Sequence, residues 1–191
     1  MVSIPPSPPP ESVQVIASPE TFPEWTSLND TIMGGRSRAG CRPTPEGLEF
    51  EGEVVAEGGG FVSCRSPQFH PPIDLSAYRG LRLRVDGGGR TLKLAVACSD
   101  GVLGLTELIP GGLRWVAAIP TQSTGTTVVD VRFADLRPVV RANPVSLPVR
   151  FCAASVTRLQ LLHSRFDEGG AVNAGFRPGP IRLLLRSIEA F

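Results

Sequence analysis

The densest chemistry in the chain lies in one short segment, Trp25-Thr-Ser-Leu-Asn29-Asp30-Thr-Ile-Met33-Gly34-Gly35-Arg36-Ser37. It gathers an indole, an amide, a carboxylate, a thioether and a hydroxyl. Asn29 and Asp30 are residues whose side chains bond nearby backbone N–H groups. Gly34 and Gly35 permit positive φ or close backbone approach. Such a set suits two tasks. It can wind a loop that closes one end of a β structure, or it can form a binding rim, since functional residues gather on loops carried by rigid sheets. A second segment is Gly58-Gly59-Gly60-Phe61-Val62-Ser63-Cys64-Arg65-Ser66. Along an extended strand Phe61, Ser63 and Arg65 share one face. Ser63 and Arg65 break the apolar side expected with Phe61, and a buried arginine there would need a carboxylate. Asp30, or another loop acid, is the expected partner of Arg65.

Bond-making chemistry has little support. No Gly-x-Ser-x-Gly elbow is present, which α/β-hydrolases need to expose their serine. A P-loop needs Gly-Lys-Ser/Thr, and the sole lysine, Lys93, falls within a strand-like run. The glycines Gly87 to Gly89 lead into a strand, so no helix N-terminus follows to hold a pyrophosphate. His70 and His163 stand alone, with neither metal-ligand spacing nor an adjacent nucleophile. Asp167-Glu168, the nearest approach to an acidic pair, precedes Gly169-Gly170 and reads as a solvated loop. Cys41, Cys64, Cys98 and Cys152 form no CxxC pair and are expected as free thiols. The expectation is a non-enzyme with no cofactor and no bound metal.

The elements that must position these residues are strands. The apolar period is two, not the roughly 3.6 of a helix. Leu81-Arg82-Leu83-Arg84-Val85 alternates, Asp86-Gly87-Gly88-Gly89 follows, and Leu92, Leu94 and Val96 alternate again. Two such runs about a glycine turn predict a hairpin. Leu48 to Val55 and Phe61 to Arg65 predict a second hairpin across Glu57 to Gly60. Further strands are predicted over 102–109, 113–119, 127–133, 156–162 and 181–188, with Gly and Pro punctuating all of them. Many short strands of this kind predict an all-β protein, a jelly-roll β-sandwich of two packed antiparallel sheets. Residues 1–12 are proline-rich and expected to be a disordered leader; residues 13–191 are expected to form a single jelly-roll domain.

Bulk properties narrow the partners. A hydrophobic fraction of 41% and a charged fraction of 19% are those of a globular chain. Nineteen basic against eighteen acidic residues leave a formal charge of +1, which supplies no bulk attraction to nucleic acid or an anionic membrane. The arginines are spread along the chain, not clustered in sequence as a phosphate-reading patch would be. No run approaches the roughly 18 apolar residues of a membrane-spanning helix. With neither a signal peptide nor a basic presequence apparent at the start of the chain, a cytoplasmic location is expected.

The two motif segments together resemble the NADH:ubiquinone oxidoreductase (complex I) intermediate-associated protein family. Similar too are Asp74-Leu75-Ser76-Ala77-Tyr78-Arg79-Gly80-Leu81 leading into a strand, the glycine turn with Arg90, Trp115, and the closing strand from Ile181 to Ile188. The likeness runs from about Trp25 to the C-terminus. It implies a galactose-binding-like jelly roll, and a site set of Trp25, Asn29, Asp30, Met33, Gly34, Gly35, Ser37, Phe61, Ser63, Arg65 and Arg90. Two departures stand out: Leu92 replaces an aromatic, and Val139-Val140-Arg141-Ala142 stands where a Phe-Arg-Gly element is expected. The lack of a presequence points to a bacterial or cyanobacterial-type member.

The function this resemblance implies is an assembly factor or adaptor. It would bind protein subunits of a larger membrane-associated redox or photosynthetic complex, working at the membrane periphery without nucleic acid. A carbohydrate-binding module is the alternative, with Trp25 and Trp115 as either core or sugar platform. An RNA-binding, translation-associated factor is a further alternative, disfavoured by near-neutral charge and aromatics at 6%.

Overall fold

The computed structural model of the protein describes residues 13–99, 112–141, 143–146 and 148–191. The proline-rich leader and the strand predicted over 102–109 lie outside the described residues. Among those described, the strands in chain order are β1 (Gln14–Ala17), β2 (Thr26–Asn29), β3 (Arg38–Thr44), β4 (Gly47–Val54), β5 (Phe61–Arg65), β6 (Gly80–Asp86), β7 (Thr91–Cys98), β8 (Leu113–Pro120), β9 (Thr127–Arg132), β10 (Arg137–Val140), β11 (Asn143–Pro144), β12 (Val156–Ser164) and β13 (Gly179–Ala190). The helical turns between them are all 3₁₀.

These strands make two antiparallel sheets. One runs β3-β4-β13-β6-β9, with β1 also pairing β13; the other runs β11-β10-β8-β7-β12-β5-β2. Period-two alternation points one face of each sheet inward. Leu81, Leu83 and Val85 of β6 and Ile181, Leu183 and Leu185 of β13 meet Leu92, Leu94 and Val96 of β7 and Leu159 and Leu161 of β12 in one core. Fully burying such a side chain contributes about 1.5–3 kcal/mol. The predicted all-β jelly roll is therefore what forms.

The two predicted hairpins do not form. β6 lies in one sheet and β7 in the other, and β4 and β5 are separated in the same way. Each glycine turn is a crossing between sheets. Gly88 and Gly89 sit at φ 60° and 76°, and a Cβ on Gly87 would come within 2.3 Å of the Thr121 side chain. The crossing is thus a tight bend that only glycine fits. In a sandwich, strands of either sheet aim their apolar side at the same core. Alternation therefore reports the face of a strand but not its partner.

Cys41, Cys64 and Cys152 stand outside any disulfide. A hydrogen bond that the Cys64 thiol donates to the neighbouring Cys41 sulfur, and then burial, push the Cys64 thiol well above the ordinary range.

His163 is a core residue of β12. Its Nδ1 lies 3.2 Å from the Thr91 carbonyl, and its Nε2 accepts the Arg177 backbone N–H at 3.2 Å. A neutral imidazole with its proton on Nδ1 satisfies both contacts, and the ring stacks on Phe176 at 5.3 Å. Burial, reinforced by the charges of Arg90 and Lys93, lowers its pKa from 6.5 to about 4. The unfolded chain takes up this proton near pH 6.5 and the folded chain only near 4. Stability should therefore fall as pH drops through that window, by at most about 3 kcal/mol, and then level off. Melting curves between pH 7.5 and 4 should show this slope, and His163→Gln should flatten it.

Candidate functional site

The segment read as a single loop divides into two elements. Thr26 to Asn29 pair with β5, Leu28 opposite Ser63 and Asn29 opposite Val62. Asp30–Met33 then form a 3₁₀ turn closed by Gly34 in the left-handed region at φ 86°. Trp25, just before β2, is only 6% exposed and stacks edge-on against Phe22 at 5.5 Å. Trp115 is 5% exposed and meets Phe151 edge-on at 5.6 Å. Both tryptophans are core, which removes the two largest candidate sugar platforms.

Asp30 is fully buried, and four donors converge on its two oxygens. The Ser37 N–H donates to Oδ1 at 2.9 Å. Oδ2 accepts from the Ser37 hydroxyl at 2.7 Å, the Gly60 N–H at 2.7 Å and the Phe61 N–H at 3.3 Å. The Ser37 hydroxyl in turn accepts the Val55 N–H at 2.9 Å, and the Asn29 amide donates to the Ala39 carbonyl at 2.9 Å. Glycines wrap the carboxylate. A Cβ on Gly35 would fall 2.3 Å from Asp30 Cγ, and one on Gly59 would fall 2.6 Å from Asp30 Cβ. Gly35 and Gly59 are the glycines that let backbone close on Asp30.

The expected Asp30–Arg65 pair is absent. Asp30 is filled by backbone and hydroxyl donors, and Arg65 stands at the far end of β5 opposite Thr26 and Gln160. The apolar side of β5 is Val62 and Cys64, both in the core. Phe61, Ser63 and Arg65 therefore face outward, and no rule of alternation is broken. Ser63 donates to the Leu28 carbonyl at 2.5 Å and accepts from the Gln160 amide at 2.8 Å. Arg90 also stands apart from the Asp30 cluster. It follows the Gly87–Gly89 crossing and donates to the Pro180 carbonyl at 2.7 Å. The Asp167-Glu168 segment is a turn in which Asp167 accepts the Gly169 and Ala171 N–H groups, each at 2.8 Å.

What the 3₁₀ turn presents outward is apolar. Ile32 is 64% and Met33 58% exposed. Met33 was legible in the motif as a candidate; Ile32 sits in the same motif but carries no polar chemistry to single it out. A hollow of about 590 Å³ opens on the outer face of the first sheet, lined by residues including Glu46, Glu49, Asp86, Ser123 and Arg182. None of the sequence-predicted site residues lines it. Its charges are already matched. The Arg182 guanidinium, bonded at 2.6 Å, holds the Glu49 carboxyl below its ordinary range, and Arg186 does the same for Asp86 from 2.7 Å. Among the described residues no group of three or more His, Cys, Asp or Glu is placed to hold a metal ion.

Two face-to-face antiparallel sheets with a hydrogen-bonded rim at one end place the chain in the jelly-roll class typified by carbohydrate-binding modules. It resembles the family 11 carbohydrate-binding module of the cellulosomal cellulase Lic26A-Cel5E of Clostridium thermocellum. Identity is 13%, coverage is 94% of each chain, and the TM-score is 0.65. A family 11 module from the same organism in complex with a β-1,3-1,4-mixed-linked tetrasaccharide matches at 13% identity over 94% of this chain and 95% of that one, TM-score 0.64. The agarase AgWH50C matches at 9% identity over 94% of this chain but 24% of its own, TM-score 0.55. These likenesses concern the fold. No curated protein sequence matches the chain. Residues 15–185 match the family model of Complex I intermediate-associated protein 30 (CIA30), and the chain belongs to that family.

Removing the Asp30 carboxylate orphans several buried donors, each costing about 1–3 kcal/mol. Asp30→Ala should therefore lower the melting temperature by roughly 6 °C or more. Gly59→Ala should act in the same direction by steric conflict alone. Arg65→Gln should leave the melting temperature unchanged, a result that thermal denaturation of the three variants would check.

Proposed function

We propose that this CIA30 family member is a non-catalytic adaptor in the assembly of a complex I-type membrane-associated redox complex, and that the Asp30 rim is its docking element. One observation carries the reading. The motif turns its polar members inward and holds Ile32 and Met33 outward on a turn that the buried carboxylate makes rigid. Large apolar side chains fixed in water mark contact surfaces, and a preformed turn lowers the entropic cost of docking. Trp25, Asn29, Asp30, Gly34, Gly35, Ser37 and the Phe61 N–H then serve as the scaffold of that contact, with Met33 touching the partner. No helix among the described residues is long and apolar enough to cross a membrane. The proposed engagement is peripheral, in a bacterial or cyanobacterial-type setting.

Affinity capture from detergent-solubilised membranes tests this. The wild type should retain complex I-type subunits identified by mass spectrometry. Ile32→Glu with Met33→Glu should lose them without a change in melting temperature, because neither side chain is part of the core. Capture of background proteins alone, or equal capture by the variant, would remove the adaptor reading.

A carbohydrate-binding role is the second reading, favoured by the tetrasaccharide-bound module that shares the fold. Burial of both tryptophans weakens it, since sugar recognition relies on exposed aromatic faces. On a glycan array the chain should show no retention above background; specific retention of β-glucans would favour the module over the adaptor.

A further inference from the structure

The outer faces of the two sheets treat arginine in opposite ways. On the first sheet every strand arginine but Arg38 meets a carboxylate. Arg42 and Arg182 both bond Glu49, Arg82 meets Asp130 at 2.6 Å, and Arg186 meets Asp86 at 2.7 Å. On the second sheet, among the described residues, Arg65, Arg114 and Arg158 meet no carboxylate. The register sets Arg65 of β5 opposite Gln160 of β12, and Arg158 of β12 opposite Ala97 of β7. Arg114 of β8 falls one step past the Val96–Trp115 pair, on the other side of Ala97. Arg137 of β10 joins the same face opposite Val116. No acidic residue of β2, β5, β7, β8, β10 or β12 shares this face, because the outward positions are Thr, Ser, Gln, Ala, Val, Leu, Phe, Lys and Arg.

Three features make this more than a scatter of surface charge. Arg65, Arg114 and Arg158 are each half-buried, and among the described residues none meets a carboxylate. Arg114 donates instead to the carbonyl of its neighbour Leu113 at 2.9 Å. Arg158 keeps a buried Nε with no partner. Burial first, and then the like charges of Arg158 and Arg65, lower the pKa of Arg114; burial and then the charge of Arg65 lower that of Arg158. With no carboxylate among the described residues to offset it, like-charge repulsion within the group opposes the fold. Small Ala97 leaves room between Arg158 and Arg114, whose backbones are two strand spacings, about 10 Å, apart. Guanidinium forks at that spacing suit several separate planar carboxylates better than one compact anion. Alternate side chains of an extended segment, about 7 Å apart, are such a set.

We infer that the outer face of the second sheet, through Arg65, Arg114 and Arg158, binds an acidic extended peptide segment of the protein partner, its Asp and Glu carboxylates seated on the three guanidinium groups. The inference rests on the adaptor reading for the identity of its partner, and uses a surface separate from Ile32 and Met33.

Fluorescence anisotropy of the full chain with labelled hexaglutamate tests it, with hexaglutamine and inorganic phosphate beside it. Hexaglutamate should bind, weaken as salt is added, and lose about tenfold or more in affinity in Arg114→Gln with Arg158→Gln, since each charge-assisted bond is worth roughly that factor. Arg132→Gln, on the first sheet and paired with Asp135, should bind like the wild type. The double variant should melt at the wild-type temperature or above it. Four results would overturn the inference: no hexaglutamate binding, equal binding by the double variant, displacement by phosphate at matched ionic strength, or a lower melting temperature in the double variant. Loss of membrane capture in the Ile32 and Met33 variant with hexaglutamate binding absent would sink the arginine surface and leave the adaptor standing. Hexaglutamate binding with only background captured from membranes would do the reverse.

Discussion

One buried carboxylate organises the end of the sandwich that carries the family motif. Asp30 has no solvent contact, so its oxygens must be satisfied from within. They draw the Ser37 N–H and hydroxyl from one side and the Gly60 and Phe61 N–H groups from the other. Ser37 passes the connection on to Val55, just past the end of β4. The result joins β2 and β5 of one sheet to the β3–β4 pair of the other through a single side chain. Gly35 and Gly59 follow from the same constraint, because any Cβ there would occupy the space of the carboxylate. The exposure of Ile32 and Met33 follows as well, since a 3₁₀ turn pinned by its first residue has no freedom to fold its apolar members back.

The two outer faces complete the contrast between structure and recognition. Ion pairs cross the first sheet, joining Glu49 to Arg42 and Arg182, Asp130 to Arg82 and Asp86 to Arg186. Pairs of this kind, where solvent reaches them, add little stability. The second sheet holds half-buried arginines over alanines, and among the described residues no acid answers them. They stand on a surface separate from the apolar rim of Ile32 and Met33, and both tryptophans are in the core.

Much of this was legible in the order of the residues. Alternation at Leu81–Val85, Leu92–Val96 and Ile181–Ile188 determined that these stretches are strands and which of their sides is buried, because side-chain direction in a strand is a local matter of period two. The motif around Asn29 and Asp30 was equally plain, and with it the family. The thin edge strands β2 and β3 were not, since an edge strand such as Arg38–Thr44 needs little apolar signal and tolerates a proline. Pairing was beyond reach for a deeper reason. Both sheets aim at one core, so the strands flanking Gly58–Gly60 and Gly87–Gly89 look like hairpins locally and become sheet crossings only when long-range register is set. The partner of Asp30 was decided in the same way. Opposite charge suggested Arg65, but the chain brings backbone N–H groups of Gly60 and Phe61 to the carboxylate and carries Arg65 away along β5 to join Arg114 and Arg158. Composition and spacing determined the kind of element and its buried side; only tertiary closure, which brings together residues distant in sequence, decided which charges meet and which are left facing outward.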